Sequence, residues 1–545
     1  MLKYRSRIVG ISLLILLNVC SYAQFTHQDS LRGSNGPGRD WWDVKYYDLS
    51  VTPDYNTKTI VGKNRIRLQW LKNYWTGRTM QIDLQQPMIM DSVIYNTRSL
   101  KFERDSNTWN ISFPTNIDYP KEDDIIIYFH GKPREAVNPP WDGGWIWQRD
   151  RLGRPWMTVA CQGLGASVWY PCKDYQGDEP DNGALLSITI PDSLVGVGNG
   201  RLINKIVNNN KTITWTWQVK NPINNYNIVP YIGKYVNWTE DFAGLNGKLN
   251  CSYWVLDYDL QKSKQQFGRD VKLMLSCFEN WFGPYPFYED GYKLVETPHL
   301  GMEHQSAIAY GNGFNNGYLG IDRSETGWGS KWDYIIVHES GHEWFANSIT
   351  TKDIADMWVH EGFTTYSETL FVECQYGKKA GDAYTQGLRS GIHNDVPIIG
   401  PYGVNREGSS DMYDKGSNMI HTIRQVINND ILFKQILRGL NKDFYHKTAS
   451  SSDIEQYFSQ KSQMDLSRIF DQYLRTIYIP VLQWKRSGSQ YLYRWANCVK
   501  GFNMQVKLRN GTWLNPTTQW KNIPVSRAGS AIEVDRNFYI ETKKV

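Results

Sequence analysis

The amino-acid sequence predicts a multidomain α+β protein: an N-terminal antiparallel β-domain, a mixed α/β domain, a helical extension and a small C-terminal β-module. Three observations predict it. At 545 residues the chain is longer than one hydrophobic core sustains. Strand-period alternation fills residues 40–240, and helical spacing takes over from about residue 260. After Pro480 short alternating runs return. The boundaries that follow are 1–23 for a leader, 24–240, 241–445, 446–480 and 481–545.

The leader comes first. Lys3, Arg5 and Arg7 precede an apolar run, Ile8 to Val19, that is too short to span a bilayer. Ser21 and Ala23 put small residues three and one positions before Gln24. This pattern predicts a secretory signal peptide cleaved after Ala23, and so a periplasmic or extracellular protein. Its removal lowers the formal charge from +5 to +2, because three cations and no anions leave with it. A near-neutral chain offers no electrostatic basis for nucleic-acid binding. No later segment is apolar enough to cross a membrane.

The β-domain is read from alternation. Tyr47, Leu49 and Val51 alternate with polar residues up to a turn at Asp54-Tyr55-Asn56, and Ile66, Leu68 and Trp70 continue the rhythm. Runs at Ile125–Phe129, Leu186–Ile190 and Thr212–Val219 follow it too. Phe267, Val271, Met274, Leu275 and Phe278 then mark a helix over Leu260–Phe282, with a strand at Lys293–Glu296. Further helices are predicted at 332–347, 357–376, 412–429, 430–442, 452–461 and 464–477. The module is read as strands at Val481–Trp484, Tyr491–Trp495, Phe502–Leu508 and Phe538–Thr542. Six cysteines follow the leader, without a CxxC spacing and too sparse for a disulfide scaffold.

The chemistry concentrates in His338-Glu339-Ser340-Gly341-His342. Histidines four apart share a helix face, so both imidazoles reach one metal ion. Zn²⁺ is the ion this donor set suits, one per chain. Glu339 stands beside them, placed to act as a general base without ligating. Eighteen residues after His342 comes Glu361, in His360-Glu361-Gly362, enough chain to end one helix and return on a second with a third ligand. Apolar residues flank the motif on both sides, and a bound metal offsets the cost of burying its polar groups. Asp356, Glu343 and Glu368 are candidates to orient the imidazoles, Glu368 lying two turns beyond Glu361 on one helix face.

Other motifs give the zinc site company. Gly301-Met302-Glu303-His304 lies about 30 residues before it. Cys161-Gln162 precedes Trp169-Tyr170-Pro171-Cys172-Lys173-Asp174, and Tyr413-Asp414-Lys415-Gly416 follows. Together these resemble the aminopeptidase N and leukotriene hydrolase family of zinc metallopeptidases, with G-x-M-E-N, C-Q…W-x-P-C-x-D, H-E-x-x-H-x-W-F-x-N and Y-x-K-G in family order. The resemblance spans roughly residues 40–480 and departs from the pattern at His304, where the family has Asn. It implies a thermolysin-like catalytic domain and hydrolysis of peptides at a free N-terminus. By the same resemblance His338, His342 and Glu361 hold zinc, Glu339 is the general base, and Tyr413 donates a hydrogen bond to the oxyanion. Glu303 takes the α-ammonium of the substrate with Gln162, while Gly301 and Met302 shape the cleft. Three other readings use the same site: a zinc-stabilised peptide- or glycan-binding protein without catalysis, an endopeptidase, and an epoxide hydrolase.

Overall fold

The computed structural model describes residues 25–71, 79–114, 121–524 and 532–545. The predicted leader, 1–23, lies outside them. The alternating residues pair as the sequence suggests. Trp42–Asp54 and Thr59–Trp70 form a hairpin that turns at Asp54, whose Oδ1 accepts from the Asn56 N–H at 2.8 Å. This hairpin sits inside an eight-stranded sheet. The order is Arg201–Val207, Thr212–Val219, Ala184–Pro191, Trp42–Asp54, Thr59–Trp70, Glu122–Gly131, Ile89–Tyr95 and Arg98–Ser99. One pair departs from the antiparallel expectation: Trp42–Asp54 runs parallel to Ala184–Pro191. The long connection through the intervening strands makes that direction reachable. Inward residues such as Val44, Tyr47, Leu49, Ile66 and Leu68 are fully buried in one apolar cluster that extends to Met302 and Ala309.

A five-stranded mixed sheet follows, ordered Tyr235–Gly244, Gly247–Leu256, Tyr292–Glu296, Ile308–Tyr310 and Gly301–Met302. The expected boundary at residue 240 falls inside its first strand. Gly301–Met302 forms the edge, antiparallel to Ile308–Tyr310.

The helices among the described residues are α1 (His27–Gly33), α2 (Leu260–Phe282), α3 (Tyr334–Gly341), α4 (Trp358–Tyr376), α5 (Lys378–Gly387), α6 (Asp414–Ile427), α7 (Asp430–Asp443), α8 (Ser451–Ser462) and α9 (Ser467–Arg475). Their ends follow capping chemistry. Asp333 accepts from the N–H groups of Ile335 and Ile336 to start α3. Gly377, at φ 89°, ends α4, and a reciprocal Ser450/Asp453 box starts α8. Helix α5 has no counterpart in the sequence reading, because its four glycine and alanine positions blur the apolar stripe. Cys277 of α2 and Cys374 of α4 are disulfide-bonded, with Cα atoms 6.0 Å apart.

The C-terminal module is a four-stranded sheet, ordered Lys521–Pro524, Gln490–Ala496, Val481–Ser487 and Glu541–Lys544. Two predicted strands shrink. Only Val506–Lys507 survives of Phe502–Leu508, and Phe538–Thr542 gives way to Glu541–Lys544. The reason is local hydrogen bonding: the Tyr539 N–H donates to Thr422 Oγ1 on α6, and its carbonyl accepts from Tyr473 on α9. These backbone groups are spent on helices and are not free to join a ladder. Leu482, Tyr493 and Trp495 bury into the same apolar cluster as the helices.

Glu179 bridges the N-terminal region to the segment after α3, its Oε1 accepting from Thr350 Oγ1 at 2.6 Å. Burial pushes its pKa up to about 8 from 4.5. Between those values the folded chain holds a proton that the unfolded chain has lost, so stability falls as pH rises from about 4.5 to 8. Glu179→Gln is expected to raise the melting temperature at pH 8 by a few degrees and to leave it unchanged near pH 4.5. Thermal unfolding at both pH values checks this, and an equal shift at both would refute it.

Candidate active site

Helices α3 and α4 meet at close quarters because small residues line their contact. A Cβ on Gly341 would lie 2.5 Å from Ser367 Oγ and 3.2 Å from Thr364 Cγ2. This approach brings the imidazoles of α3 to the carboxylate of α4. Glu361 Oε2 stands 3.3 Å from His342 Nε2 and 3.7 Å from His338 Nε2. One ligating atom from each of the three residues lies within 4.8 Å of the others. Regular helix ends at Gly341, short of the predicted 347. His342 Nδ1 lies 3.0 Å from the Phe345 carbonyl, and Phe345 and Ala346 leave helical geometry, Ala346 at φ 140°.

Do these residues fit a metal? Glu361 Oε2 is buried and has no hydrogen-bond donor, though it faces two imidazole nitrogens. A buried carboxylate oxygen left so is costly unless a cation takes it up. The far side of each ring is fixed instead. His338 Nδ1 meets Glu368 Oε1 at 2.6 Å, and Glu368 Oε2 accepts from Tyr384 Oη at 2.6 Å. His342 Nδ1 is held by the Phe345 carbonyl and Thr364. Both Nε2 atoms therefore turn to one point, with two imidazoles and one carboxylate, the donor set of a tetrahedral zinc site with an open fourth position. Burial disfavours charge on His338, yet Glu361 and Glu368 outweigh it and push its pKa up to about 10. The carboxylates thus draw positive charge into the site.

Of the three candidates to orient the imidazoles, only Glu368 does so. Glu343 accepts from Tyr285 Oη at 2.8 Å and from the Ser306 N–H at 2.9 Å, pinning the loop after Glu303. Asp356 accepts from Tyr402 Oη and from Ser451. Glu368→Ala is expected to weaken metal binding about 10- to 100-fold. Competition against a chelator measures it, and unchanged affinity would dismiss the orienting role.

Glu339, one turn inside α3, lines the same cleft. Burial pushes its pKa up to about 7, with His338 and His342 pulling the other way. Gly301 is required beside it: a Cβ there would lie 2.9 Å from Ile335 Cγ2 and 3.0 Å from Glu339 Oε1. Tyr413 sits at the start of α6. It arrives there because α4 and α6 cross where Gly362 faces Gly416, a Gly416 Cβ falling 3.1 Å from Gly362 Cα. Its ring stacks at 6.1 Å from that of His338, and burial with the nearby Glu361 raises its phenol well above the ordinary value.

Glu303 leaves the edge strand Gly301–Met302 and turns into the cleft. Its Oε1 accepts from Tyr226 Oη at 2.7 Å, and its carbonyl accepts from Asn347 Nδ2 at 2.7 Å. Oxygens of Glu303 and Glu339 and a nitrogen of His342 lie within 4.8 Å of one another. Burial raises the Glu303 pKa, against the pull of His342. Gln162 lines the cleft from the turn after strand Pro155–Ala160, not from within a strand, and its Nε2 is buried without a partner. Gly301 and Met302 line the cleft as well. His304 does not: its ring is buried against the N-terminal region, Nδ1 2.6 Å from Tyr231 Oη. The neighbouring His360 also turns away, its Nε2 accepting from the Thr351 N–H at 2.9 Å.

The cleft has a volume of about 740 Å³. Sequence reasoning missed several of its walls. Arg323 donates to Tyr334 Oη at 2.7 Å and pairs with Asp414 at 3.1 Å, bracing the ring that stacks on His338. Trp141, 65% exposed, and Arg134 overhang one side, and Arg406 and Glu407 stand on another. They come from loops without a periodic or spacing signal.

Residues 269–473 match the model of the Peptidase family M1 domain. The chain carries a domain of peptidase family M1. The resemblance to the aminopeptidase N family read from its motifs is borne out, and so is the multidomain α+β fold. Curated relatives include Aminopeptidase M1 of Arabidopsis thaliana, 23% identical over 393 residues covering 69% of this chain and 41% of that protein. Tricorn protease-interacting factor F2 of Thermoplasma acidophilum is 19% identical, covering 82% of this chain and 55% of its own length. The chain thus spans about half the length of the curated relatives it matches. Among solved structures, an M1 zinc metallopeptidase from Deinococcus radiodurans bound to a Tyr-Ser-Ala substrate superposes with TM-score 0.68 at 19% identity, covering 82% of this chain and 96% of that one.

Proposed function

We propose that this protein is an exported zinc aminopeptidase that removes residues from the free N-termini of peptides. The observation that carries it is Glu303: a buried carboxylate beside the three-residue metal set, surplus to the ligands and to the base, and aimed into the same cleft. An α-ammonium is the group that such a carboxylate holds, by a charge-assisted hydrogen bond. Gln162 shares it through its amide oxygen. Held there, the substrate offers only its first peptide bond to the metal.

His338, His342 and Glu361 would hold one Zn²⁺ per chain, which when bound supplies Lewis-acid polarisation of the scissile carbonyl. Glu339 accepts a proton from the attacking water and returns it to the leaving amine, a role suited to a pKa near neutrality. Tyr413, protonated throughout because its pKa is raised, donates its O–H to the oxyanion as charge develops. The outer edge of Gly301–Met302 offers backbone groups to an extended peptide. Export is supported by the leader and by the Cys277–Cys374 disulfide, which an oxidising compartment preserves.

The test is hydrolysis of matched aminoacyl-arylamides with free and N-acetylated amines by residues 24–545. Cleavage of the free-amine series alone is expected. Cleavage of the acetylated series would make the protein an endopeptidase, and zinc binding without turnover would leave a binding protein.

A further inference from the structure

The last 65 residues hold eleven Lys and Arg against three Asp and Glu, net +8, while residues 1–480 sum to −3. Among the described residues of this module, ion pairing takes up only Arg509, 3.2 Å from Glu533. Three of its cations, Lys485, Arg494 and Lys543, share one face of the sheet, while Arg486, Lys521 and Lys544 fall in the opposite register.

Residues paired across neighbouring strands point to the same face. One face carries Leu482, Trp484, Tyr491, Tyr493 and Trp495, all buried in the core. The other carries Lys543, Gln483 and Arg494 in one row and Lys485, Leu492 and Asn522 in the next. Trp520 lies at its margin, with Lys485 Nζ and Arg494 Cζ each 4.6 Å from its ring centroid. These cation–π contacts hold two cations ready without neutralising them. Glu541, opposite Val481, is the one carboxylate side chain on the face, at its far end. Ile477 and Tyr478, 37% and 54% exposed, lead into the first strand.

We propose that this outer face docks the protein on an anionic lipid surface. Cations on three adjacent strands lie in a plane, as headgroups do, and indole and phenol rings at such a margin suit the depth of the headgroup layer. The opposite charge of the remaining chain turns this face toward a negative surface before contact. Lysine and arginine in this module then act as a docking device separate from the cleft.

The test is co-sedimentation of residues 24–545 with phosphatidylcholine vesicles, pure or containing about one-third phosphatidylglycerol, since a negative surface potential is the attraction invoked. Binding to the anionic vesicles alone is expected, weakening with salt. Lys485→Glu with Arg494→Glu and Lys543→Glu should lower the partition about a hundredfold. Lys500→Glu with Arg509→Glu, outside the strands of this sheet, should lower it far less, and Trp520→Ala should lower it several-fold. Hydrolysis of a small soluble arylamide reports that each variant is folded. Equal binding to neutral vesicles, no binding to either, or equal losses from both sets of reversals would overturn the proposal. So would binding to a soluble acidic polysaccharide with none to vesicles.

Discussion

Glu339→Gln is expected to lower kcat by about 10²–10⁴-fold while metal content stays at the wild-type level. The two halves of that outcome separate the roles within one helical turn. His338 and His342 direct Nε2 toward Glu361, and their outer nitrogens are held by Glu368, Thr364 and the Phe345 carbonyl. None of these contacts involves Glu339, so the amide leaves the metal set intact. What it removes is the proton acceptor. Glutamine fills the same volume against Gly301, where no larger group fits. Metal analysis and steady-state rates on one preparation decide the matter. Loss of metal together with activity would show Glu339 to be part of the metal-holding set.

Glu303→Gln tests the substrate class. The amide oxygen keeps the Tyr226 hydrogen bond, so the loop stays in place, while the negative charge goes. A hydrogen bond to a charged group contributes about 1.5–3 kcal/mol, which is roughly 10- to 150-fold in kcat/KM for free-amine substrates. The variant should also discriminate less between free and N-acetylated peptides than wild type. Unchanged kcat/KM would mean that the ammonium is read elsewhere, and Glu407 would be the next residue to replace.

The parts of this protein legible in its sequence are those that obey a period or a spacing. His338 and His342 were readable because helix geometry alone brings them together, and Glu361 because its distance from them allows a return on a second helix. The long strands and helices were readable for the same reason. The kink at Phe345 and Ala346 was not, since it arises from a carbonyl turned toward His342 rather than from a glycine or proline. Nor was the choice among Asp356, Glu343 and Glu368, all acidic and near the motif. It depends on which helix faces α3, a tertiary fact set by Gly341 against Ser367. His304 shows the limit from the other side. It stands where the family motif has Asn, and packing turns its ring toward Tyr231 and out of the cleft.

The disulfide between α2 and α4 has a consequence for how the metal is lost and regained. Residues 277 and 374 enclose every group of the metal centre: His338, His342, Glu361 and the supporting Glu368 all lie within the loop of sequence separation 97. When the domain opens, the bridge keeps these side chains on one tethered ring of chain, at a higher mutual concentration than a linear chain allows. An ion released on opening therefore meets its ligands still gathered nearby. Reducing the bridge should leave the folded site unaltered yet make metal loss under chelator faster and its recovery slower.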